Sequence, residues 1–383
     1  MLRLAPALPC LMALVALGCG DDSRPSTGCT PEDVRACTCT DGRSGTQTCG
    51  PDTTWDYCMC EGVLLDAGDA GGSIDGGSQD AGTPIEWPAS PDEYVVEQVA
   101  YVNTMTVPPV VRETVDCCRD FGMISRDYIE AGTSEIDNAV AEVADSLTSL
   151  GYDLQMVLNG LLADGTFVLL LDHRDLDGAT DPDFVLVALN GEPDGMGGYL
   201  VRRDAFVPGT GRPRSVFVPA SVSAGSVEAG PGDAYIPVPF GPAVTIYKFE
   251  GTHMAGSIDL SSGVRYSAGT MAGWLTIDEY FRGINEIMAT QCGCLGISGP
   301  LYEKTGTTWT HHCANEAAAM ASCTATGEGV CVQMGSGLAC TVQPLVIPES
   351  ADIDLNPAMN GYEALSFGLR FTAIPATVSG LTP

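Results

Sequence analysis

The sequence predicts an α+β protein. We expect mostly antiparallel β-structure, a sandwich or an open barrel, with a few flanking helices and a small disulfide-rich module near the N-terminus. Three observations predict this class. Short β-rich runs separated by Gly, Pro and Asp fill residues 167–274. Apolar residues at helical spacing occur in only a few segments around that region. Six of the 16 cysteines lie between Cys29 and Cys60.

The N-terminus has the pattern of an export signal. A basic start at Arg3 precedes an almost wholly apolar run over residues 4–17, which is too short to span a bilayer at ~20 residues. Ala-Leu-Gly-Cys at residues 16–19 resembles a lipobox, whose cysteine is acylated before cleavage and becomes the mature N-terminus. The resemblance implies that residues 1–18 are a lipoprotein signal peptide and that Cys19 carries the lipid, with palmitate among its acyl chains. A plain signal peptide cut nearby is the alternative.

Residues 19–28 are then an anchor and polar spacer, and residues 29–61 form the disulfide-rich module. A segment of this length buries little apolar surface, so covalent links must hold it together. Two cysteines separated by one residue seldom bridge each other, and the connectivity stays open. Zinc is the alternative for the Cys-x-Cys pairs, although the module contains no histidine. The six residues are Cys29, Cys37, Cys39, Cys49, Cys58 and Cys60.

Residues 62–84 are rich in Asp, Ala and Gly and predict a flexible acidic linker, because glycine permits many conformations and like charges repel.

Residues 85–383 are long enough for one large β-rich ectodomain or for two smaller domains. A capping-box pattern at residues 134–137 begins a helix that Gly151 ends, and residues 154–162 predict a second helix. Thr276 begins a third helix, and a Cys-rich loop follows near residues 292–340. The strand candidates are residues 167–171, 184–189, 199–207, 215–218, 234–238, 244–249, 254–260, 264–274 and 365–374.

The ectodomain contains eight further cysteines. Without Cys10 in the signal peptide and Cys19, 16 − 2 = 14 cysteines remain, and an even number in an exported chain predicts disulfides. Neighbouring cysteines seldom bridge each other, so we expect Cys117 and Cys118 to bond to Cys292 and Cys294. The remaining four would pair locally: Cys313, Cys323, Cys331 and Cys340.

Acidity limits the partners of this chain. It has 17 Lys and Arg against 49 Asp and Glu, a net charge of −32. Such a chain repels phosphate backbones and anionic lipid surfaces, so we expect no nucleic-acid partner. Attachment through acyl chains needs no basic surface, so we expect the N-terminal acyl chains to hold the protein on the membrane. The many carboxylates are also potential ligands for a divalent cation such as calcium. The alternative is that the acidic residues serve only to keep the protein soluble.

The best candidate metal site is the segment 352–363. Counted as an EF-hand loop, it places oxygen ligands at Asp352, Asp354, Asn356 and Glu363, which predicts calcium. Pro357 stands where such a loop needs glycine, and the flanks read as strand or coil, so we expect a calcium turn of another kind. An Asx-rich turn between strands is the alternative.

Other clusters have ordinary structural interpretations. Five aspartates between Asp172 and Asp183 form either a cation site or, as we expect, a solvated turn. The sequence His-His-Cys at residues 311–313 favours a loop beside a structural cysteine, because consecutive residues seldom converge on one ion. His173 and His253 could act as general bases, but no spacing ties them to a nucleophile, and the common enzyme motifs are absent from the sequence.

The whole pattern resembles a group of predicted lipoproteins typical of myxobacteria, which combine a lipobox, a six-cysteine module, an Asp/Ala/Gly stalk and a β-rich domain. The likeness is carried by the lipobox, by the segment 45–49 with Trp55, and by the segments 136–139, 161–166 and 364–373. It implies a lipid-anchored protein of the cell envelope, at the outer membrane, and it brings no assigned activity. We expect a non-enzymatic binding, adhesion or structural ectodomain with a protein or glycan ligand. The alternatives are a secreted hydrolase whose site forms only in the fold and a calcium-stabilised structural domain.

Overall fold

The computed structural model describes residues 34–38, 44–48, 59–60 and 85–383, apart from 112–113, 116, 134, 150–152, 241–242, 307, 325–328 and 357–360. The chain divides into two compact units, residues 1–77 and 78–383. In the first unit, β1 (Val34–Thr38), β2 (Ser44–Thr48) and β3 (Met59–Cys60) form an antiparallel sheet in that order. The predicted signal peptide, the lipid site Cys19 and the cysteine side chains of the module lie outside the described residues.

The second unit is mostly antiparallel β-structure with helices around it, which confirms the predicted fold class. Its helices are α1 (Arg126–Ala131), α2 (Ala139–Ser149), α3 (Leu154–Ala163), α4 (Ile277–Gln291), α5 (Glu316–Thr324), α6 (Gly329–Gly335) and α7 (Gly337–Ser350). Its strands are β4 (Gln98–Thr106), β5 (Val110–Val111), β6 (Thr114–Val115), β7 (Leu169–Arg174), β8 (Asp181–Pro193), β9 (Tyr199–Val201), β10 (Ser215–Ser223), β11 (Ser226–Phe240), β12 (Ala243–Asp259), β13 (Arg265–Thr276), β14 (Tyr302–Thr305), β15 (Thr308–His311), β16 (Ala364–Pro375) and β17 (Val378–Leu381).

Eight strands close into an antiparallel barrel in the order β4-β7-β8-β10-β11-β12-β13-β16, with β16 returning to β4. The closing pair is β8 with β10, where Phe217 stands opposite Leu186. The sequence left a sandwich and an open barrel as alternatives, and the β8–β10 pairing excludes an open edge there. Two further strands extend the sheet, because β9 pairs with the end of β8 and β17 pairs in parallel with β9.

Side chains from alternate strand positions fill the barrel, as the period of two requires. On β7, Leu169 and Leu171 belong to the interior cluster with Phe184, whereas Leu170 belongs to a second cluster on the outer face. That outer cluster includes Val187 of β8, and residues 85–97 and 374–381 pack over it. Because both faces are buried, β7 and β8 appear in the sequence as continuous apolar runs rather than as alternating ones.

Helices cover other parts of the barrel. Leu162 of α3 belongs to the interior cluster, and α4 packs its apolar face into a separate cluster with Ile277, Phe281 and Ile284. Thr276 caps α4 by accepting a hydrogen bond from the Glu279 amide at 3.2 Å, as its sequence position predicted. No helix in the part of the chain that the structure describes is both long and apolar enough to cross a membrane.

Two predictions about elements were wrong. The Cys-rich region was expected to be a loop, but it folds into β14, β15, α5, α6 and α7 around buried cysteines. The helix after Ser134 was expected to begin near Ile136, but α2 begins at Ala139, because the Asn138 side chain accepts from the Ala141 amide at 3.2 Å. Asp137 therefore stands outside the helix.

The predicted pairing of Cys117 and Cys118 with Cys292 and Cys294 was also wrong. Cys117 and Cys118 are bonded to each other, with their Cα atoms 2.9 Å apart. The other bridges join Cys292 to Cys331, Cys294 to Cys323 and Cys313 to Cys340, with Cα separations of 5.4, 5.1 and 6.0 Å. Disulfides are present as expected, but they join α6 and α5 to the segment that follows α4, and α7 to the segment that follows β15.

Candidate functional site

An open cleft of about 420 Å³ lies where the C-terminal end of α3 meets the hairpin between β8 and β9. This volume is within the range of small-molecule sites. We call it the rim cleft. It is lined by Tyr101, Leu162, Ala163, Asp164, Gly165, Pro193, Gly195, Gly197, Gly198 and Tyr199.

One wall of the rim cleft is the hairpin loop 194–198, which Asp194 holds in place. Its carboxylate accepts from the amides of Met196 at 2.7 Å and Gly198 at 2.9 Å, and from the Ser379 hydroxyl at 2.9 Å. These bonds lower the pKa of Asp194. Gly195 and Gly197 have positive φ angles of 75° and 97°, which glycine adopts at no steric cost. The loop is therefore fixed by its own hydrogen bonds before any ligand arrives.

The floor of the rim cleft carries two tyrosines in contact. The rings of Tyr101 on β4 and Tyr199 on β9 have centroids 4.6 Å apart and planes 31° apart. Tyr101 is 9% exposed, and its hydroxyl donates to the Leu162 carbonyl at 3.4 Å. Tyr199 is half-buried, and burial raises its pKa to about 12. Tyr199 thus presents a supported aromatic surface to the cleft.

The opposite wall is the end of α3. Asp164 is the C-cap residue, and hydrogen bonds from the Thr166 hydroxyl and from the Thr166 amide at 2.9 Å lower the pKa of its carboxyl. Gly165 follows with a φ of 73°, and an added Cβ there would come within 2.7 Å of Pro193 Cγ. Glycine at residue 165 therefore permits the close approach of α3 to β8. The carboxylate of Asp164 gives this wall a negative charge.

A second open cleft, also of about 420 Å³, follows β9 and β17. Its charged residues already bind each other, since Arg203 Nη2 lies 2.6 Å from Asp92 Oδ1. Arg203 also donates to the Thr382 carbonyl at 3.0 Å. Because these groups are engaged within the protein, this cleft is a poorer candidate than the rim cleft.

The structure does not bring the predicted calcium ligands together. Asp352 accepts from the amide of Ser366 at 2.7 Å and from its hydroxyl, while Asp354 accepts from the Asn356 amide at 3.0 Å. Glu363 accepts from the Leu355 amide at 2.9 Å. Within the described ranges no group of three or more His, Cys, Asp and Glu could hold a metal ion. The Asp354–Asn356 contact is the Asx turn that was the alternative.

The aspartates between Asp172 and Asp183 also have structural roles. Asp172 is fully buried and accepts from the Tyr94 hydroxyl and the Glu97 amide, both at 2.9 Å. Asp181 accepts from the amides of Asp177 at 2.8 Å and Asp183 at 3.1 Å, so it closes the turn before β8. Residues 311–313 fit their structural interpretation too, since His312 faces Glu303 at 3.4 Å and Cys313 is bridged.

The two histidines considered as general bases lie apart from the rim cleft. His173 is fully buried in the barrel, where Nδ1 donates to the Gln98 carbonyl at 2.9 Å and Nε2 accepts from the Tyr266 hydroxyl at 2.7 Å. Burial lowers the pKa of His173 to about 4. Burial and the charge of Arg119 lower that of His253 to about 4 as well. Both imidazoles are neutral at pH 7.

Comparison of the chain with family models, with curated proteins and with solved structures finds no match. The rim cleft therefore has to be interpreted from its own geometry.

The sequence interpretation missed the rim cleft. One signal was present, since Asp-Gly-Met-Gly-Gly at residues 194–198 is typical of a hairpin loop. The other walls come from β4 and α3, which are distant in the sequence, so no local pattern joins Tyr101 to Tyr199.

Proposed function

We propose that this chain is a lipid-anchored protein of the cell envelope, at the outer membrane, whose barrel unit binds a ligand at the rim cleft. The anchor rests on the lipobox pattern that ends at Cys19. Export is supported by the disulfide pairs of the described cysteines. The net charge of −32 argues for a protein or glycan ligand rather than a nucleic acid.

The observation that carries binding rather than catalysis is the composition of the cleft. Hydrolysis by acid–base chemistry needs at least two groups that exchange protons near one substrate atom. Among the residues that line the rim cleft, Asp164 is the one carboxylate, and there is no histidine, cysteine or lysine. Two tyrosines and a glycine loop instead provide contact surface and hydrogen bonds, which suit recognition.

The anchor is tested by replacing its cysteine. Cys19→Ala should abolish incorporation of radiolabelled palmitate and move the protein from the detergent phase to the aqueous phase, or leave the precursor uncleaved. Cys10→Ala, inside the apolar run, is the matched control and should be labelled like the wild type. Equal labelling of Cys19→Ala and wild type would contradict the anchor.

Binding is tested with the unanchored form, so that the lipid cannot hold the protein on membranes. Cys19→Ala protein should cosediment with washed envelope fragments, and Ala163→Trp in the same background should reduce the bound fraction at least tenfold. Ala163 is exposed at the end of α3 and lines the cleft, so the indole fills the site without removing a core contact. Unchanged cosedimentation of Ala163→Trp, with an unchanged melting temperature, would contradict the proposal.

A further inference from the structure

The main apolar surface in the rim cleft is the ring of Tyr199. Tyr199 is half-buried against Tyr101, which is 9% exposed, and both rings line the cleft. A tyrosine held in this way gives a ligand a rigid flat surface at a small cost in side-chain entropy. The hydroxyl of Tyr199 is hydrogen-bonded to that of Tyr101, and its oxygen remains an acceptor for a ligand. A ligand that fits has one apolar face and polar groups around its edge.

The charges at the cleft select against anions. Asp164 is exposed at the cleft, and hydrogen bonds from Thr166 lower the pKa of its carboxyl, so it is ionised at neutral pH. No Lys or Arg is among the lining residues. In a chain with a net charge of −32, a phosphate or carboxylate group would be repelled from this site. A nucleotide, a phosphopeptide and an acidic polysaccharide are therefore disfavoured.

The glycine loop suits a ligand that donates hydrogen bonds. At Gly195 and Gly197 an added Cβ would meet no atom within 4 Å, so a ligand has room to lie directly over the peptide backbone. The amides of Met196 and Gly198 already donate to Asp194, so the loop presents mainly carbonyl acceptors to a ligand. A simple ammonium ion also donates, but it is small beside a cleft of about 420 Å³. Several hydroxyl groups on one larger ligand can donate to these acceptors across the cleft.

From these observations we propose that the rim cleft binds a neutral saccharide. The apolar face of a sugar ring packs on Tyr199, and its hydroxyls bond to Asp164 and to the loop 194–198. The Asp194 hydrogen bonds hold that loop in its binding geometry, which reduces the entropy lost on association. This inference rests on the proposed binding function and names its ligand class.

The test measures saccharide binding by full-length protein in the Cys19→Ala form. Titration calorimetry would use three neutral probes (chitotriose, maltotriose and cellotriose), an anionic one (trigalacturonate) and a cationic one (spermidine). We expect saturable binding of at least one neutral trisaccharide and none of the charged probes. Tyr199→Ala and Ala163→Trp should each weaken that binding at least tenfold, whereas Tyr199→Phe, which keeps the ring, should stay within threefold of wild type. Tyr128→Ala, at an exposed ring on α1, is the control and should leave binding unchanged.

Three results would overturn the saccharide inference: no neutral trisaccharide binds, a charged probe binds in its place, or Tyr199→Ala and Ala163→Trp bind the sugar like wild type. Melting temperatures of each variant identify any loss that comes from misfolding, and Tyr199→Phe retains the packing if Tyr199→Ala does not fold. If the trisaccharides fail while wild type still cosediments with envelope fragments through the cleft, the inference fails and the binding function stands. If cosedimentation is insensitive to Ala163→Trp, the binding function itself fails.

Discussion

Asp137 and Asp352 are buried carboxyls beside the start of α2, and burial raises the pKa of Asp137 to about 7 and that of Asp352 to about 6. Asp137 accepts from the Phe121 amide at 2.7 Å. The nearby charge of Asp127 raises its pKa further. Asp352 holds Ser366, whose hydroxyl accepts from the Ala139 amide at 2.9 Å. A residue that the sequence assigned to a metal thus positions the first turn of α2 against β16.

The raised pKa of Asp137 predicts a pH dependence of stability. A folded-state value near 7 lies above the unfolded value near 4, so this group contributes stability that is fully present below pH 4 and is lost as pH rises through 7. Asp137→Asn mimics the protonated form and keeps an acceptor for Phe121. Its melting temperature should exceed that of wild type by about 2–5 °C at pH 8, and the difference should vanish near pH 4.

Thermal unfolding between pH 4 and pH 8 measures this difference. Asp183→Asn, at an exposed carboxyl, is the matched control and should leave the pH profile of wild type unchanged. A melting-temperature difference for Asp137→Asn that stayed constant over this pH range would mean that Asp137 does not titrate as proposed.

At the scale of elements, disulfide bonds rather than apolar residues at helical spacing stabilise the helices of the Cys-rich region. Its helices α5, α6 and α7 lack a strong apolar periodicity, and α7 contains Pro344 and Pro348. Buried cysteines contribute to their core instead, since Cys323 and Cys340 are fully buried beside Phe281 of α4. This is the physical reason why the sequence predicted a loop there, whereas α3 and α4, with clear helical spacing, were predicted correctly.

The bridge between Cys313 and Cys340 is predicted to stabilise this region locally. It spans 27 residues, so its loss in Cys313→Ala/Cys340→Ala should lower the stability of this region by about 3.5 kcal/mol by the chain-entropy relation. Amide hydrogen exchange should become faster in α5 and α7, while protection of β7, in the centre of the barrel sheet, should stay as in wild type.

Peptide mapping of the wild-type protein without reduction checks the disulfide pairing on which this prediction depends. It should recover Cys292 with Cys331, Cys294 with Cys323 and Cys313 with Cys340. A peptide containing Cys117 and Cys118 that is joined to Cys292 or Cys294 would contradict this arrangement. So would uniform loss of protection across the barrel in the double variant.

At the scale of the whole molecule, the barrel is closed by contacts that are distant in the sequence. Strand β16 pairs with β4 across more than 260 residues of sequence. Strand β8 pairs with β10 along its first part and with β9 at its C-terminal end. Closure removes the exposed edges that an open sheet would present. It also encloses a continuous interior cluster, which includes Leu186, Phe217 and Phe371. The eight strands of the barrel should therefore unfold as one cooperative body.

Phe217→Ala tests this cooperativity at the closing pair. Phe217 is fully buried opposite Leu186, so the truncation should lower the free energy of unfolding by about 3–5 kcal/mol. Chemical denaturation followed by far-UV circular dichroism and by tryptophan fluorescence should give coincident transitions at a lower midpoint. Val207→Ala, at a residue 37% exposed, should change the midpoint little. Separate transitions for the two signals in Phe217→Ala would contradict a single cooperative barrel.

By itself, the sequence determined the antiparallel β-rich class, seven of the eight barrel strands and the helices α3 and α4, because these depend on periodicities and caps within one segment. It missed β4, divided β12 into two candidates, shortened several other strands, and assigned Asp352 to a metal. The tertiary structure alone decided the closure of the barrel, the cysteine pairing and the rim cleft. Each of these joins residues that are distant along the chain, as Tyr101 and Tyr199 are, and their proximity follows from strand register and burial, which local sequence patterns do not encode.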